Sequence, residues 1–151
     1  MLMNIWIRPL EVSDYEEIIE LIKNELGYDS LTKNTLLSQL DAIKKNKNYQ
    51  TFVAVCDGKV IGFIGACRFI TFNIQGEYLQ IIALAVCKEY QNKGIGTKLL
   101  EKIEQLARNE NIAIIGLTSS LHRESAHAFY EQKGYHKHGY KFQKTLILGL
   151  I

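Results

Sequence analysis

Nowhere does the sequence carry about twenty consecutive apolar residues, so no membrane-spanning helix is expected. The stretch from Met1 to Arg8 lacks a basic segment leading into a long apolar one. No export signal is read there, and the cytoplasm is the expected location. Excess charge is also missing: the formal net charge is +2, and the lysines are interleaved with Glu, Asn and Gln. Without a basic stripe alternating with stacking aromatics, nucleic acid is not an expected partner. Only one proline occurs, Pro9, and neither a repeat nor a low-complexity linker divides the chain. Cysteine is sparse as well. Cys56, Cys67 and Cys87 cannot all pair with one another, and each lies in an apolar, strand-like run. Reduced, buried thiols are expected rather than a disulfide framework.

What is present suits a folded enzyme. A chain of 151 residues, 47% of them hydrophobic, is long enough to bury a core, so residues 1–151 are read as a single domain. Ile5 to Arg8 reads as a strand. Ser13 and Glu16 have the spacing of a capping box, opening a helix that ends at Gly27. Apolar residues Leu36, Leu37, Leu40 and Ile43 mark a second helix over 33–45. The period then shortens to two. Thr51 to Cys56 and Val60 to Ile70 are strands joined by the turn pair Asp57-Gly58. A turn over Asn73 to Gly76 leads to a strand from Tyr78 to Val86. A helix over 97–109, a strand over 112–117, a helix over 123–133 stopped by Gly134, and a last strand over 141–148 complete the chain. The fold class is mixed α/β, a largely antiparallel sheet flanked by helices.

Gln91-Asn92-Lys93-Gly94-Ile95-Gly96 lies where the long apolar strand gives way to a helix. The first turn of a helix exposes unpaired N–H groups and partial positive charge, and glycines let a phosphate approach the backbone. Lys93 and Lys98 add charge beside the turn, so a diphosphate is the natural occupant. The Walker pattern, four residues between glycines and then Gly-Lys-Ser/Thr, is absent. The dinucleotide fingerprint needs a third glycine where Leu99 stands, and it belongs to the first unit of a parallel sheet. Both nucleotide readings fail on spacing.

The run Leu84-Ala85-Val86-Cys87-Lys88-Glu89-Tyr90-Gln91-Asn92-Lys93-Gly94-Ile95-Gly96-Thr97-Lys98-Leu99-Leu100 resembles the core motif of the GNAT superfamily of N-acetyltransferases, and the element order resembles that fold (the acyl-CoA N-acyltransferase fold) over nearly the whole chain. The resemblance implies acetyl-CoA as co-substrate. Gln91, Asn92, Lys93, Gly94, Ile95, Gly96 and Thr97 would hold its pyrophosphate, with Lys98 adding charge, and the main chain of Leu84, Ala85 and Val86 would pair with its pantetheine arm. It also implies a bulge in that strand, for which the sequence carries no local signature.

Downstream, Arg123-Glu124-Ser125-Ala126-His127-Ala128-Phe129-Tyr130 resembles the superfamily's closing motif. Ala126, Phe129, Tyr130 and Lys133 share a helix face by spacing. The resemblance makes Tyr130 the acid that protonates the departing sulfur, a role a phenol can fill while its ring packs. It puts Ala126 and Tyr130 beside the cofactor, with Arg123 where an asparagine often contacts it. The base is less legible. Gln80, Ile81, Ile82 and Ala83 occupy the strand positions where many members carry glutamates, and none ionises. Glu77, at the strand's start, is the expected base, acting through water; His122 and His127 are alternatives. His136 and His138 alternate like a metal pair but lack a third ligand of suitable spacing, so no metal is expected.

The acceptor is expected to be a small amine. The stretch from His122 to Leu146 is similar to small-molecule members such as aminoalkylphosphonate and aminoglycoside acetyltransferases, and Tyr28, Asp29, Phe72 and Glu77 are read as pocket residues for a cationic group. Three matters stay open on the sequence: a protein N-terminus or lysine as acceptor, a non-catalytic CoA-binding sensor, and a homodimer.

Overall fold

Asp57 and Gly58 adopt φ of +50° and +77°, the left-handed pair that a two-residue hairpin turn requires, and they bring Cys56 opposite Lys59. Around that hairpin the computed structural model describes residues 3–150. The chain divides into two units, Met1–Leu117 and Thr118–Ile151.

The first unit holds one sheet in the order β1 (Ile5–Pro9), β2 (Tyr49–Cys56), β3 (Lys59–Ile70), β4 (Glu77–Val86), β5 (Ile114–Leu117). β1 to β4 are antiparallel to their neighbours, and β5 lies parallel to β4. The helices α1 (Tyr15–Asn24) and α2 (Lys33–Lys45) cover one face. There Ile18, Ile19, Leu21, Leu36 and Leu40 pack with Val53, Phe63 and Ala85, three residues in register across β2, β3 and β4. α3 (Ile95–Asn109) packs against β2, β3 and β4 and buries Leu99, Leu100, Ile103 and Ala107. A Cβ on Gly62 would meet Leu99 Cδ1 at 3.3 Å and the Ala85 carbonyl oxygen at 3.0 Å, so glycine is what admits α3 this close to the sheet. Each of the buried leucine and isoleucine side chains contributes about 1.5–3 kcal/mol.

The expected Ser13–Glu16 capping box does not form. Instead Asp14, at the end of a short 3-10 turn (Val12–Asp14), accepts the Glu11 N–H at 2.8 Å and both guanidinium nitrogens of Arg8 at 2.7 and 2.9 Å. A carboxylate reaching back to a backbone N–H while paired with a strand arginine offers more than a surface serine, so α1 begins two residues beyond Ser13. Thr32 caps α2, accepting the Thr35 N–H at 3.1 Å.

The second unit holds α4 (Glu124–Gln132), closed by Gly134 at φ +91°. The strand expected over 141–148 is absent: residues 135–147 are irregular and Leu148–Leu150 form a 3-10 turn. A strand is stable only against a partner, and no other strand among the described residues pairs with this segment. All three cysteines are free. Cys56 is buried as expected, whereas Cys67 and Cys87 are only half-buried.

Candidate active site

The site in the first unit is built on an interruption in β4. Gly65 of β3 pairs with Ala83 and Ala66 pairs with Ile81, which leaves Ile82 with no residue opposite. This is a β-bulge, and it leaves Ile82 47% exposed. On the other side of β4, β5 pairs with Tyr78 to Ile81 and goes no further. β4 is therefore paired on both sides before the bulge and on one side after it.

The Cys87 N–H donates to the Ile61 carbonyl at 2.7 Å, across to β3. By alternation the main-chain groups of Ala85 face β3 too, and those of Leu84 and Val86 face the open side. An extended ligand strand has a place to pair there. The Val86 carbonyl, at the end of this edge, accepts from Gln91 Nε2 at 2.9 Å, which folds the loop back onto the strand that precedes it.

After a short 3-10 turn (Lys88–Tyr90), the chain passes through two left-handed residues, Asn92 at φ +61° and Gly94 at φ +82°, and enters α3. Gly94 is the residue before the helix, and open space surrounds the position a Cβ would take. The Gly94 carbonyl accepts the Lys98 N–H at 3.1 Å. The first-turn N–H groups of Ile95, Gly96 and Thr97 have no acceptor within the helix, and they face the start of its dipole. Buried Ile95 anchors the turn, and Lys93 lies 5.8 Å from the centre of the Tyr90 ring. Glu25, just past α1, holds the other side: its carboxylate accepts the Lys88 N–H and the Gln91 side-chain amide, each at 3.1 Å. Sequence reasoning missed Glu25, because nothing in the residues around position 25 records a partner 63 positions away.

These features form a ligand edge of main-chain groups that runs into an anion-binding helix start. The family model for the acetyltransferase (GNAT) family matches residues 15–135, which span both the bulged strand and Tyr130. This chain belongs to the GNAT acetyltransferase family. Among the relatives of this GNAT protein, an aminoalkylphosphonate N-acetyltransferase of Salmonella typhimurium is 30% identical over 89% of the chain and 84% of the relative. A GNAT family acetyltransferase structure from Staphylococcus aureus is 28% identical, covers 95% of this chain and 100% of its own, and has a TM-score of 0.78. An aminoglycoside N-acetyltransferase in complex with CoA shares the fold at a TM-score of 0.84, with 15% identity over 96% of this chain and 97% of its own.

As a GNAT acetyltransferase, the protein uses acetyl-CoA as the acetyl donor. The residues present suit that molecule. Its pantetheine amides match the free edge at Leu84 and Val86, and its pyrophosphate matches the amides of a glycine turn with no Cβ in the way.

In the second unit of this GNAT protein, Tyr130 is half-buried on α4, stacked edge-on against Phe129 and Tyr135 with ring centres at 5.3 and 6.0 Å. Burial pushes its phenol above the ordinary value, and the nearby Arg123 charge opposes that only in part. The Tyr130 phenol thus keeps its proton at neutral pH. Arg123 is the residue before α4, its carbonyl accepting the His127 N–H at 3.1 Å, and Ala126 lies one turn before Tyr130 on the helix. The His127 ring is 2.9 Å from the Ser120 carbonyl, while His136 and His138 lie in the irregular stretch, so they share no strand face.

Glu77 opens β4, with one carboxylate oxygen 3.9 Å from Arg68, whose guanidinium also binds Glu110 beyond α3. It precedes the bulge by five residues, about 16 Å along a strand. Of the expected pocket residues, Tyr28 and Phe72 are exposed, and Phe69 stacks on Tyr78 at 5.3 Å.

Proposed function

We propose that this protein transfers the acetyl group of acetyl-CoA to the primary amine of a small molecule by direct attack in a ternary complex, the whole chain acting as one acetyltransferase domain. The observation that carries the reading is the bulge at Ile82: it leaves Leu84 and Val86 with a free edge that runs into the Gly94 turn. In this reading the main chain of Leu84 and Val86 holds the arm of the donor, whereas that of Ala85, expected to share the role, is turned to β3. Gln91, Asn92, Lys93, Gly94, Ile95, Gly96 and Thr97 surround its diphosphate and Lys98 adds positive charge; the family resemblance adds Arg123 and Ala126 to the residues that contact the donor.

The amine nitrogen forms a bond to the acetyl carbon, the carbon–sulfur bond breaks, and the sulfur takes up a proton. Tyr130 is the proposed source of that proton, since its phenol remains protonated at pH 7. The amine, with a pKa near ~10 in solution, must lose a proton before it attacks. Glu77 is the proposed acceptor, acting through water because of its distance along the strand. Water can complete such a path where no side chain reaches.

A small amine bearing an anionic group is the first acceptor to try. The Salmonella relative is named for aminoalkylphosphonates, and Arg123 is an exposed cation that such a group would meet. The decisive experiment measures thiol release from acetyl-CoA over aminoalkylphosphonates, aminoglycosides, polyamines and peptides. Turnover is expected with small amines. Turnover confined to peptides would replace this acceptor class with a protein terminus. Acetyl-CoA binding without turnover on any amine would make the protein a sensor.

A further inference from the structure

Next to the bulge the two faces of the sheet differ. Gly62, which α3 approaches, shares its face by alternation and pairing with Ile64, Ala66, Leu79 and Ile81, and those four are no more than 4% exposed. That face is closed. On the opposite face α1 and α2 cover the rung Val53–Phe63–Ala85. The next rungs of this face are Thr51–Gly65–Ala83 and then Tyr49–Cys67–Gln80–Gly116. Here the residues turn from apolar to polar: Tyr49, Thr51, Gln80 and the following Tyr78 are half-buried. Gln80 stands two residues, about 7 Å, before the bulge at Ile82.

The fold does not use these polar groups. Among the described residues the Thr51 and Tyr78 hydroxyls and the Gln80 amide make no hydrogen bond, and none of them is a buried orphan. Tyr49 shares a hydrogen bond with the Cys67 thiol, and the charge and hydrogen bond of that sulfur, with burial, raise its phenol, so it too is neutral at pH 7. Two glycines shape the surface. A Cβ on Gly116 would overlap the Tyr78 hydroxyl, so glycine there lets Tyr78 lean across β5 and brings its hydroxyl beside Gln80. A Cβ on Gly65 would meet only Ile82 Cγ1 at 3.6 Å and Thr51 Oγ1 at 3.8 Å, both ordinary contacts. Packing does not demand glycine at 65, although glycine weakens a strand; a close approach by a ligand is the other common reason for one.

We propose that this shelf holds the skeleton of the acceptor, and that Thr51 and Gln80, with the Tyr49 and Tyr78 hydroxyls, select a small amine whose skeleton carries hydroxyl groups. Chemistry and size both point there. The rungs from Val53 to Tyr78 place no Lys, Arg, Asp or Glu on this face, so it offers neither a cation nor an anion a counter-charge. Hydroxyls and a primary amide each donate and accept, which is the complement of a hydroxyl group. Neutral polar groups converging on a half-enclosed surface are the usual means of orienting a small ligand. Tyr49 and Gln80 stand two strands apart, about 10 Å, and Thr51 lies about 7 Å along β2 from Tyr49. That span suits one substituted ring and not a polymer. In naming the acceptor, this inference rests on the acetyl-transfer reading.

Gln80→Leu and Thr51→Val keep the size of each side chain and remove its polar group. The probes are glucosamine and cyclohexylamine, rings of one size with and without hydroxyls. Each variant should lower kcat/KM for glucosamine about fivefold, the loss of one hydrogen bond. The value for cyclohexylamine, the KM for acetyl-CoA and the melting temperature should not move. Equal losses on both amines, as a merely structural role would give, or no loss on either, overturn the proposal. Cys67, between Tyr49 and Gln80, supplies a readout that needs neither turnover nor a folded variant. In the wild type, glucosamine should slow alkylation of Cys67 by iodoacetamide, followed by peptide mass, and cyclohexylamine should not. Turnover of glucosamine without that protection overturns the shelf and leaves acetyl transfer standing. Protection without turnover of any amine does the reverse: the shelf stands as a site for a hydroxylated amine, and acetyl transfer falls. Neither protection nor turnover overturns both.

Discussion

A proton donor must hold its proton until the moment of transfer, and Tyr130, proposed for that role, keeps its proton because burial disfavours the phenolate more than Arg123 favours it. Replacing it by phenylalanine keeps the ring contacts with Phe129 and Tyr135 and removes only the hydroxyl. Tyr130→Phe is expected to lower kcat by about 10²-fold, a modest figure for a lost general acid. The stabilisation of the protein by acetyl-CoA in a thermal melt should be unchanged, and an unaltered kcat would remove Tyr130 from the reaction. Glu77→Gln tests the proposed base. It should lower kcat/KM about tenfold at pH 7 and less at high pH, where the amine is already neutral; equal rates across that range rule the role out. Asp14 shows the same electrostatics applied to stability. Burial raises its carboxyl, but the Arg8 guanidinium and the Glu11 N–H outweigh this and hold it below the ordinary value. With the folded value below the unfolded one near ~3.9, its contribution is complete above that pH and is lost as pH falls through the folded value. Asp14→Asn should therefore cost about 2 kcal/mol at neutral pH. The gap between the two melting curves should stay constant from pH 5 to 8 and close only in more acidic buffer. A gap that persists at the lowest pH at which both fold contradicts the ion pair as its source.

At the scale of the element, the glycine turn is held from outside itself. Its own residues supply the left-handed angles at Asn92 and Gly94, but Glu25 fixes where the turn sits, through Lys88 and Gln91. Glu25→Ala is expected to raise the KM for acetyl-CoA about fivefold, the equivalent of ~1 kcal/mol, with kcat nearly unchanged. Initial rates at varied acetyl-CoA measure this, and an unchanged KM would mean that the turn holds its shape alone. The contrast also explains what could be read in advance. The Asp57-Gly58 hairpin, the helix over 33–45 and the glycine turn are local: each follows from residues within a few positions, and each is found as expected. The bulge is not local. Ile82 is an apolar residue in an apolar run, and only its register against Gly65 and Ala66 leaves it unpaired. Ser13 is in the right place to cap a helix, yet Asp14 prevails because Arg8 reaches it from β1. The period over 141–148 suggests a strand that the structure does not form, since a pattern states what a segment can pair with and not where its partner is.

For the molecule as a whole, the order of chemical events depends on whether any side chain can carry the acetyl group. A ping-pong route needs a nucleophile ready to form a covalent intermediate, and cysteine is the natural one. Neither Cys56 nor Cys87 is prepared for it. The Cys87 thiol, nearest the glycine turn, donates to Glu89 at 2.7 Å, and that bond together with burial raises it above its ordinary value. Burial and the neighbouring Asp57 raise Cys56. Cys67 lies within β3, opposite Gln80, on the paired side of the bulge. A thiol raised in this way is mostly protonated at pH 7 and a poor nucleophile. The proposed direct attack by the amine requires donor and acceptor to be bound together. Double-reciprocal plots at several fixed amine concentrations should therefore intersect rather than run parallel. A variant with all three cysteines replaced by serine should keep kcat within about twofold. Parallel lines that become rate-dead in the triple variant would reverse this conclusion, because both results would then point to an acetylated cysteine on the path.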